Sequence, residues 1–285
     1  MTSIAEQTVA EMGGRFSVLS LQKRDHLELN RLLHRLTIAS PADQDAVLLD
    51  IYRLVFPHAY AEETVLWPAI RRVLPDGHEL TLRIEREHQQ INEVVTRLEA
   101  LQPGSPDRRP VLEELIGLLW EDVRDEEDIL LPRFQAAVSR AQLWRLGIAW
   151  EAVRRTAPTR AHPVVSRRPP GNVLAALPLA LLDRCRDRVD ARLLRRPGRF
   201  AAPLCAVGSA LTAASHGVER LPGMQRGESR ETRLGRKRRF GWGAAALLSA
   251  AGMTALALMA RRRSKSAPSH DDPVSRSSIG SVAPA

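Results

Sequence analysis

Two segments of the chain carry polar residues at spacings suited to holding a cation. His58-Ala-Tyr-Ala-Glu62-Glu63 runs on to Leu66-Trp67-Pro68, and 64 residues later Asp122-Val-Arg-Asp-Glu126-Glu127 runs on to Leu130-Leu131-Pro132. In each copy an imidazole or carboxylate stands four residues before a carboxylate, so on a helix both project from one face and can reach the same ion. His26 precedes His58 by 32 residues and His88 precedes Asp122 by 34. A helix with one histidine followed by a helix with a ligand pair therefore occurs twice.

The elements that would position these groups are visible as apolar stripes recurring at three and four residues. The first runs Leu19, His26, Leu29, Leu33, Leu36, and the second Val47, Ile51, Val55, His58, Glu62, Leu66, Ile70, Val73. The third runs Leu80, Ile84, His88, Ile91, Val95, Leu98, and the fourth Leu112, Leu115, Leu119, Asp122, Glu126, Ile129. Each stripe is broken by an imidazole or carboxylate, and an ionised carboxylate in an apolar interior is costly without a partner. A shared cation supplies one. The expectation is an all-α, up-down four-helix bundle whose two similar hairpins hold two metals side by side. Pro57, directly before His58, predicts a kink, or a helix boundary at residue 56. Pro68 and Pro132 follow the ligand turns, where they can bend or end each helix.

Taken singly these residues have plainer readings. A lone histidine such as His26 or His88 is ordinarily a satisfied imidazole. Asp25, Glu63, Glu87 and Glu127 read as solvated charges, first-turn carboxylates or partners that orient a ligating histidine. Repetition within buried stripes turns the balance toward a metal site. His34, His78, His162, His216 and His270 fall outside the pattern.

Residues 15–140 resemble the hemerythrin-like HHE cation-binding domains, whose pattern is a histidine in the first and third helices and H-x-x-x-E-E in the second and fourth. The resemblance includes the Asp25-His26 and Glu87-His88 dipeptides and the hydrophobic-Pro ending after each glutamate pair. The stretch from Leu146-Gly147 to His162-Pro163 resembles the extra helix and exit of some bacterial members. The resemblance implies metal ligation by His26, His58, Glu62, His88 and Glu126, with the two glutamates as bridges. Asp122 departs from it, standing where the family has a histidine. A carboxylate there can still ligate, but it is harder than imidazole and shifts preference toward oxygen-loving ions. Two iron ions are expected, with manganese or a mixed pair favoured more than in relatives, or one half-site weakened. The implied function is a non-haem di-metal protein that engages oxygen, peroxide or nitric oxide. The alternatives are a peroxidase- or catalase-like enzyme and a degenerate interaction bundle with dispensable metal.

Charge divides the chain. The first 150 residues hold 17 Lys and Arg against 24 Asp and Glu, and the remainder holds 25 against 9. The expected order is an N-terminal tail (1–16), the metal-binding bundle (17–140), an extra helix (141–156) and a Pro/Arg linker (157–171). A basic, partly amphipathic region (172–239), a transmembrane helix (240–260) and a disordered polar tail (261–285) follow. Leu174, Leu177, Leu181, Val189 and Leu193 set against Arg184, Arg186, Arg188, Arg192 and Arg195 suit either an anionic membrane surface or packing on the bundle. Phe240–Ala260 carries no charge over 21 residues, long enough to span a bilayer at about 1.5 Å per residue. The shorter apolar run 200–215 is less suited to spanning. Basic residues are in excess before the span, and the first residues hold no secretory apolar core, so the expectation is a single-pass membrane protein with a cytoplasmic N-terminal domain. Nucleic acid is disfavoured as a partner, because the arginines adjoin apolar segments and no aromatic stacking platform accompanies them. Cys185 and Cys205 both lie in the tail half, so no disulfide framework and no cysteine ligand is indicated. No residue pattern specifies an oligomeric state.

Overall fold

The structure, a computed structural model, describes residues 2–195 and 198–232. All regular structure among them is helical: α1 (Val18–Ile38), α2 (Gln44–Ala61), α3 (Trp67–Val73), α4 (Gly77–Glu99), α5 (Arg108–Asp125), α6 (Leu131–Ala137), α7 (Arg140–Thr156), α8 (Gly171–Arg195) and α9 (Ala201–Glu219), with short π and 3-10 turns between some of them. Ser17 starts α1 by accepting a hydrogen bond from the Leu19 N–H, satisfying one of the free donors of a helix N-terminus. Ser139 and Gln142 form a reciprocal capping box at the start of α7.

Helices α2 and α3 form one rod joined by a π-turn over Glu62–Leu66, and α5 and α6 form another joined by a π-turn over Glu126–Leu130. In each the helix-closing bond spans five residues, from the Trp67 N–H to Glu62 O and from the Leu131 N–H to Glu126 O. The next residue is Pro68 or Pro132. A proline there has no N–H to strand where the hydrogen-bond register changes. Helix α2 continues through Pro57, which is buried, so no helix boundary lies at residue 56. The π-turns also correct the apolar stripes. Ile129 is exposed, as is Val73 at the end of its rod, because an inserted residue rotates the helix beyond it; Leu130, Leu131 and Phe134 face inward instead.

The four rods are therefore α1, α2–α3, α4 and α5–α6, joined by short connections that make successive rods antiparallel. Their core is in two parts. One cluster joins Leu29–Leu36, Val47–Phe56, Ile91–Leu98 and Leu112–Leu119, and the other joins Ile4, Met12, Val18–Leu21, Ala61–Ile70, Ile84 and Leu130–Phe134. The polar residues singled out by the sequence occupy the layer between them. The first sixteen residues show no helical periodicity, yet Ile4 and Met12 are fully buried in the second cluster. Helix α7 lies across α1 and α2 and contributes Leu143 and Trp150 to that cluster. Its approach is close enough that a Cβ on Gly147 would meet Phe16 O at 2.0 Å.

Beyond α7, residues 157–170 run over the bundle to the antiparallel pair α8 and α9. Arg160 binds Asp187 and Asp190, and Arg168 binds Glu85. His162 is half-buried between Asp183 and Glu219, at 3.0 and 2.8 Å. On α8 Val173, Leu174, Leu177 and Leu181 are exposed. The apolar span Phe240–Ala260, the arginines that flank it and the polar tail lie outside the described residues. Among the described residues no helix is long and apolar enough to cross a membrane, α9 with its 201–215 run included.

Candidate metal centre

Six residues chosen from the sequence meet in the polar layer. His26 comes from α1, His58 and Glu62 from the second rod, His88 from α4, and Asp122 and Glu126 from the fourth. They form two groups whose facing atoms lie within 4.8 Å of one another: His26, His58, Glu62 and Glu126, then His88, Asp122 and Glu126. His26, His58, Glu62, His88 and Glu126 are buried.

The two glutamates reach both groups. Glu126 places Oε2 3.3 Å from His26 Nε2 and Oε1 4.0 Å from His88 Nε2. Glu62 places Oε1 3.1 Å from His58 Nε2 and Oε2 3.7 Å from His88 Nε2. Asp122 Oδ1 stands 3.5 Å from His88 Nε2. The first group thus offers two imidazole nitrogens and two carboxylate oxygens, whereas the second offers one nitrogen and two oxygens, with Glu62 Oε2 close by.

A second layer of carboxylates holds the imidazoles by their other nitrogen. Asp25 Oδ2 is 3.3 Å from His58 Nδ1, Glu63 Oε1 is 2.8 Å from His88 Nδ1, and Glu127 Oε1 is 2.9 Å from His26 Nδ1. A carboxylate accepting the Nδ1 proton fixes the tautomer that leaves the Nε2 lone pair free for a cation. Asp25, Glu63 and Glu127 therefore orient histidines on other helices. Glu87 does not; it faces Asp125 and Arg83, and burial together with the Asp125 charge pushes its carboxyl up to about 7. Trp67 stacks at 6.3 Å over the His88 ring, and Trp150 meets the His58 ring edge-on at 5.3 Å.

Electrostatics marks the same layer. Burial by itself would lower the three imidazole pKa values, but carboxylates outweigh it. Glu126 and Glu127 raise His26 to about 10, Glu62 and Asp25 raise His58 to about 9, and Asp122 and Glu63 raise His88 to about 10. Burial and the neighbouring Glu126 and Glu62 charges push the Asp122 carboxyl well above its ordinary range. Glu126 is raised by burial and by Glu62. These groups need positive charge among them, supplied either by protons or by a cation.

The donor set fits a cation. Glu62 Oε2, His88 Nε2, Asp122 Oδ1 and Glu126 Oε1 are all buried and have no hydrogen-bond partner, although such atoms ordinarily have one. Three of those atoms make up the second group, and the fourth, Glu62 Oε2, lies 3.7 Å from His88 Nε2. A cation bound by them would satisfy all four at once.

Several residues at the site are not apparent from the ligand pattern. Gln22 donates to Glu62 Oε1 at 2.6 Å, and it lies on the α1 stripe one turn before His26, a signal that spacing carries. Arg154 donates to Asp25 at 2.6 Å from α7, one turn after Trp150. Arg167 donates to Glu63 at 2.7 Å from the irregular segment 157–170, where no periodicity marks it.

Comparison with known proteins agrees with this geometry. Residues 17–134 match the Hemerythrin HHE cation binding domain. An uncharacterized hemerythrin-like protein of Schizosaccharomyces pombe is 25% identical over 134 residues, 47% of this chain and 66% of that protein. A DNA nickase of Nostoc sp. PCC 7120 is 24% identical over 133 residues, 46% of this chain and 37% of that protein. The chain thus spans less than two thirds of either relative. No solved structure is a significant match. Sequence match, helical architecture and buried His/Glu cluster converge on residues 17–134, which are similar to the Hemerythrin HHE cation binding domain and bring together residues that could hold a cation.

Proposed function

We propose that the domain is a non-haem dinuclear metal centre that reacts with a small oxidant: oxygen, peroxide or nitric oxide. The observation that carries this reading is the pair Glu62 and Glu126, each with one oxygen toward either group and its second-group oxygen unpartnered. His26, His58, Glu62 and Glu126 would hold one ion, and His88, Asp122, Glu126 and Glu62 the other. When bound, an iron pair supplies one-electron redox chemistry and coordination positions open to a diatomic molecule or peroxide. The chain's own residues do the rest. Asp25, Glu63 and Glu127 hold the imidazoles in register, and Trp67, Trp150 and the two apolar clusters keep bulk water away.

Asp122 sets this centre apart from one with a histidine at that position. A hard, anionic oxygen donor favours the oxidised state of iron and raises the standing of manganese in the His88 group. The reading is therefore redox turnover in preference to reversible oxygen carriage, with iron, manganese or a mixed pair. Elemental analysis of the purified full chain tests it, with two transition-metal ions per chain expected and none overturning it. Peroxide consumption by the metal-loaded chain, abolished in Glu62→Ala, separates turnover from carriage; repeated oxygen cycling without loss would favour carriage.

The C-terminal apolar span Phe240–Ala260 and its flanking arginines support a further part of the proposal, a single-pass attachment to the cell membrane with the metal domain cytoplasmic. Fractionation of the full chain into membranes, lost on removal of residues 240–285, is the expected result.

A further inference from the structure

Two of the three imidazoles are backed by more than a carboxylate. His88 Nδ1 lies 2.8 Å from Glu63 Oε1, and the same oxygen accepts from Arg167 Nη1 at 2.7 Å. Arg167 Nη2 donates to Gln89 Oε1 at 2.8 Å. One guanidinium thus bridges the π-turn that carries the carboxylate and the α4 residue next to the histidine. Glu63 and Arg167 are both buried. On the other side His58 Nδ1 lies 3.3 Å from Asp25 Oδ2, and Arg154 grips both oxygens of Asp25, at 2.6 and 3.2 Å. Arg154 also lies over the Trp150 ring, whose edge meets His58. Neither arginine belongs to the four rods that carry the candidate ligands. Arg154 comes from α7, and Arg167 from the segment that follows it.

We propose that the metal centre extends beyond its four ligand-bearing rods, with Arg154 and Arg167 as positioning residues for His58 and His88. A buried carboxylate left alone is costly and free to turn away or to take up a proton. A guanidinium fork neutralises it and fixes its plane, which in turn fixes the imidazole it receives a hydrogen bond from. Because each arginine serves one histidine, each tunes one half of the centre. Arg154 of α7 and Arg167 of the segment that follows are then working parts of the site. This inference rests on the dinuclear reading above.

The test uses the full chain titrated anaerobically with iron(II) against a competing chelator, so that the affinity of each ion is resolved. Arg167→Ala is expected to weaken one ion by about ten- to a hundredfold, the usual effect of removing a group behind a ligand, while the other ion is held as before. Arg154→Ala is expected to weaken the other ion. Arg168→Ala is the control, since Arg168 ties the same segment to α4 through Glu85, which touches no candidate ligand; it should lower the melting temperature and leave both affinities alone. Should Arg167→Ala fail to fold, Arg167→Lys keeps the charge but cannot fork between Glu63 and Gln89, and carries the same expectation at smaller size. Wild-type affinity for both ions in the Arg167 variants, or equal weakening in Arg168→Ala, overturns the inference and leaves the dinuclear reading standing. A wild-type chain that binds no iron removes both.

Discussion

Glu126 belongs to both groups and Glu62 of the first also reaches toward His88, whereas Asp122 belongs only to the second. Their substitutions should therefore differ in kind. Glu126→Ala is expected to abolish binding of both ions, and Asp122→Asn to remove or weaken only the ion beside His88, as read by metal content after gel filtration. Asp122→His should raise the nitrogen count of the second group and move its preference from manganese toward iron in a competition between the two metals. At this scale most of the site was legible, because His26, His58, Glu62, His88, Asp122 and Glu126 interrupt apolar stripes at helical spacing. The pairing of Asp25 with His58 was not, since Asp25 adjoins His26 in sequence and only helix packing directs it elsewhere.

Among elements, α7 and the segment beyond it carry the sharpest expectations. Gly147→Ala forces a Cβ against Phe16 O, with backbone on both sides and no flexible side chain to yield. It should destabilise the protein by about 1–3 kcal/mol, seen as a lowered thermal midpoint. His162 joins the 157–170 segment to α8 and α9 through Asp183 and Glu219. Burial would lower its pKa, but those two carboxylates raise it from 6.5 to about 10. The folded pKa lies above the unfolded one, so the stabilisation is complete below about 6.5 and is lost as pH rises through about 10. His162→Ala should cost about 3 kcal/mol at pH 6, and the gap to the wild type in denaturant titrations should narrow toward pH 10. The helices were legible from period and caps, but the π-turns were not: a one-residue insertion leaves local composition unchanged and shows only in which later residues, Leu130 in place of Ile129, turn inward.

Over the whole molecule, a polar layer rich in carboxylate divides the core into two apolar clusters. Cations that bind only the folded chain should stabilise it, by about 2.7 kcal/mol per site at a hundredfold excess over the dissociation constant. Chelation should accordingly lower the melting temperature, and re-addition of iron or manganese restore it; an unchanged midpoint would indicate a bundle whose metal is dispensable. The sequence by itself determined the helical class, the inward face of each rod up to its π-turn and the chemical type of the site, because side-chain period and residue type are local properties that survive without a fold. Tertiary structure alone decided that Glu62 and Glu126 reach both halves, that Asp122 points into the cluster, and that Arg154 and Arg167 stand behind His58 and His88. Those facts depend on the relative placement of segments up to 129 residues apart, which no local pattern encodes.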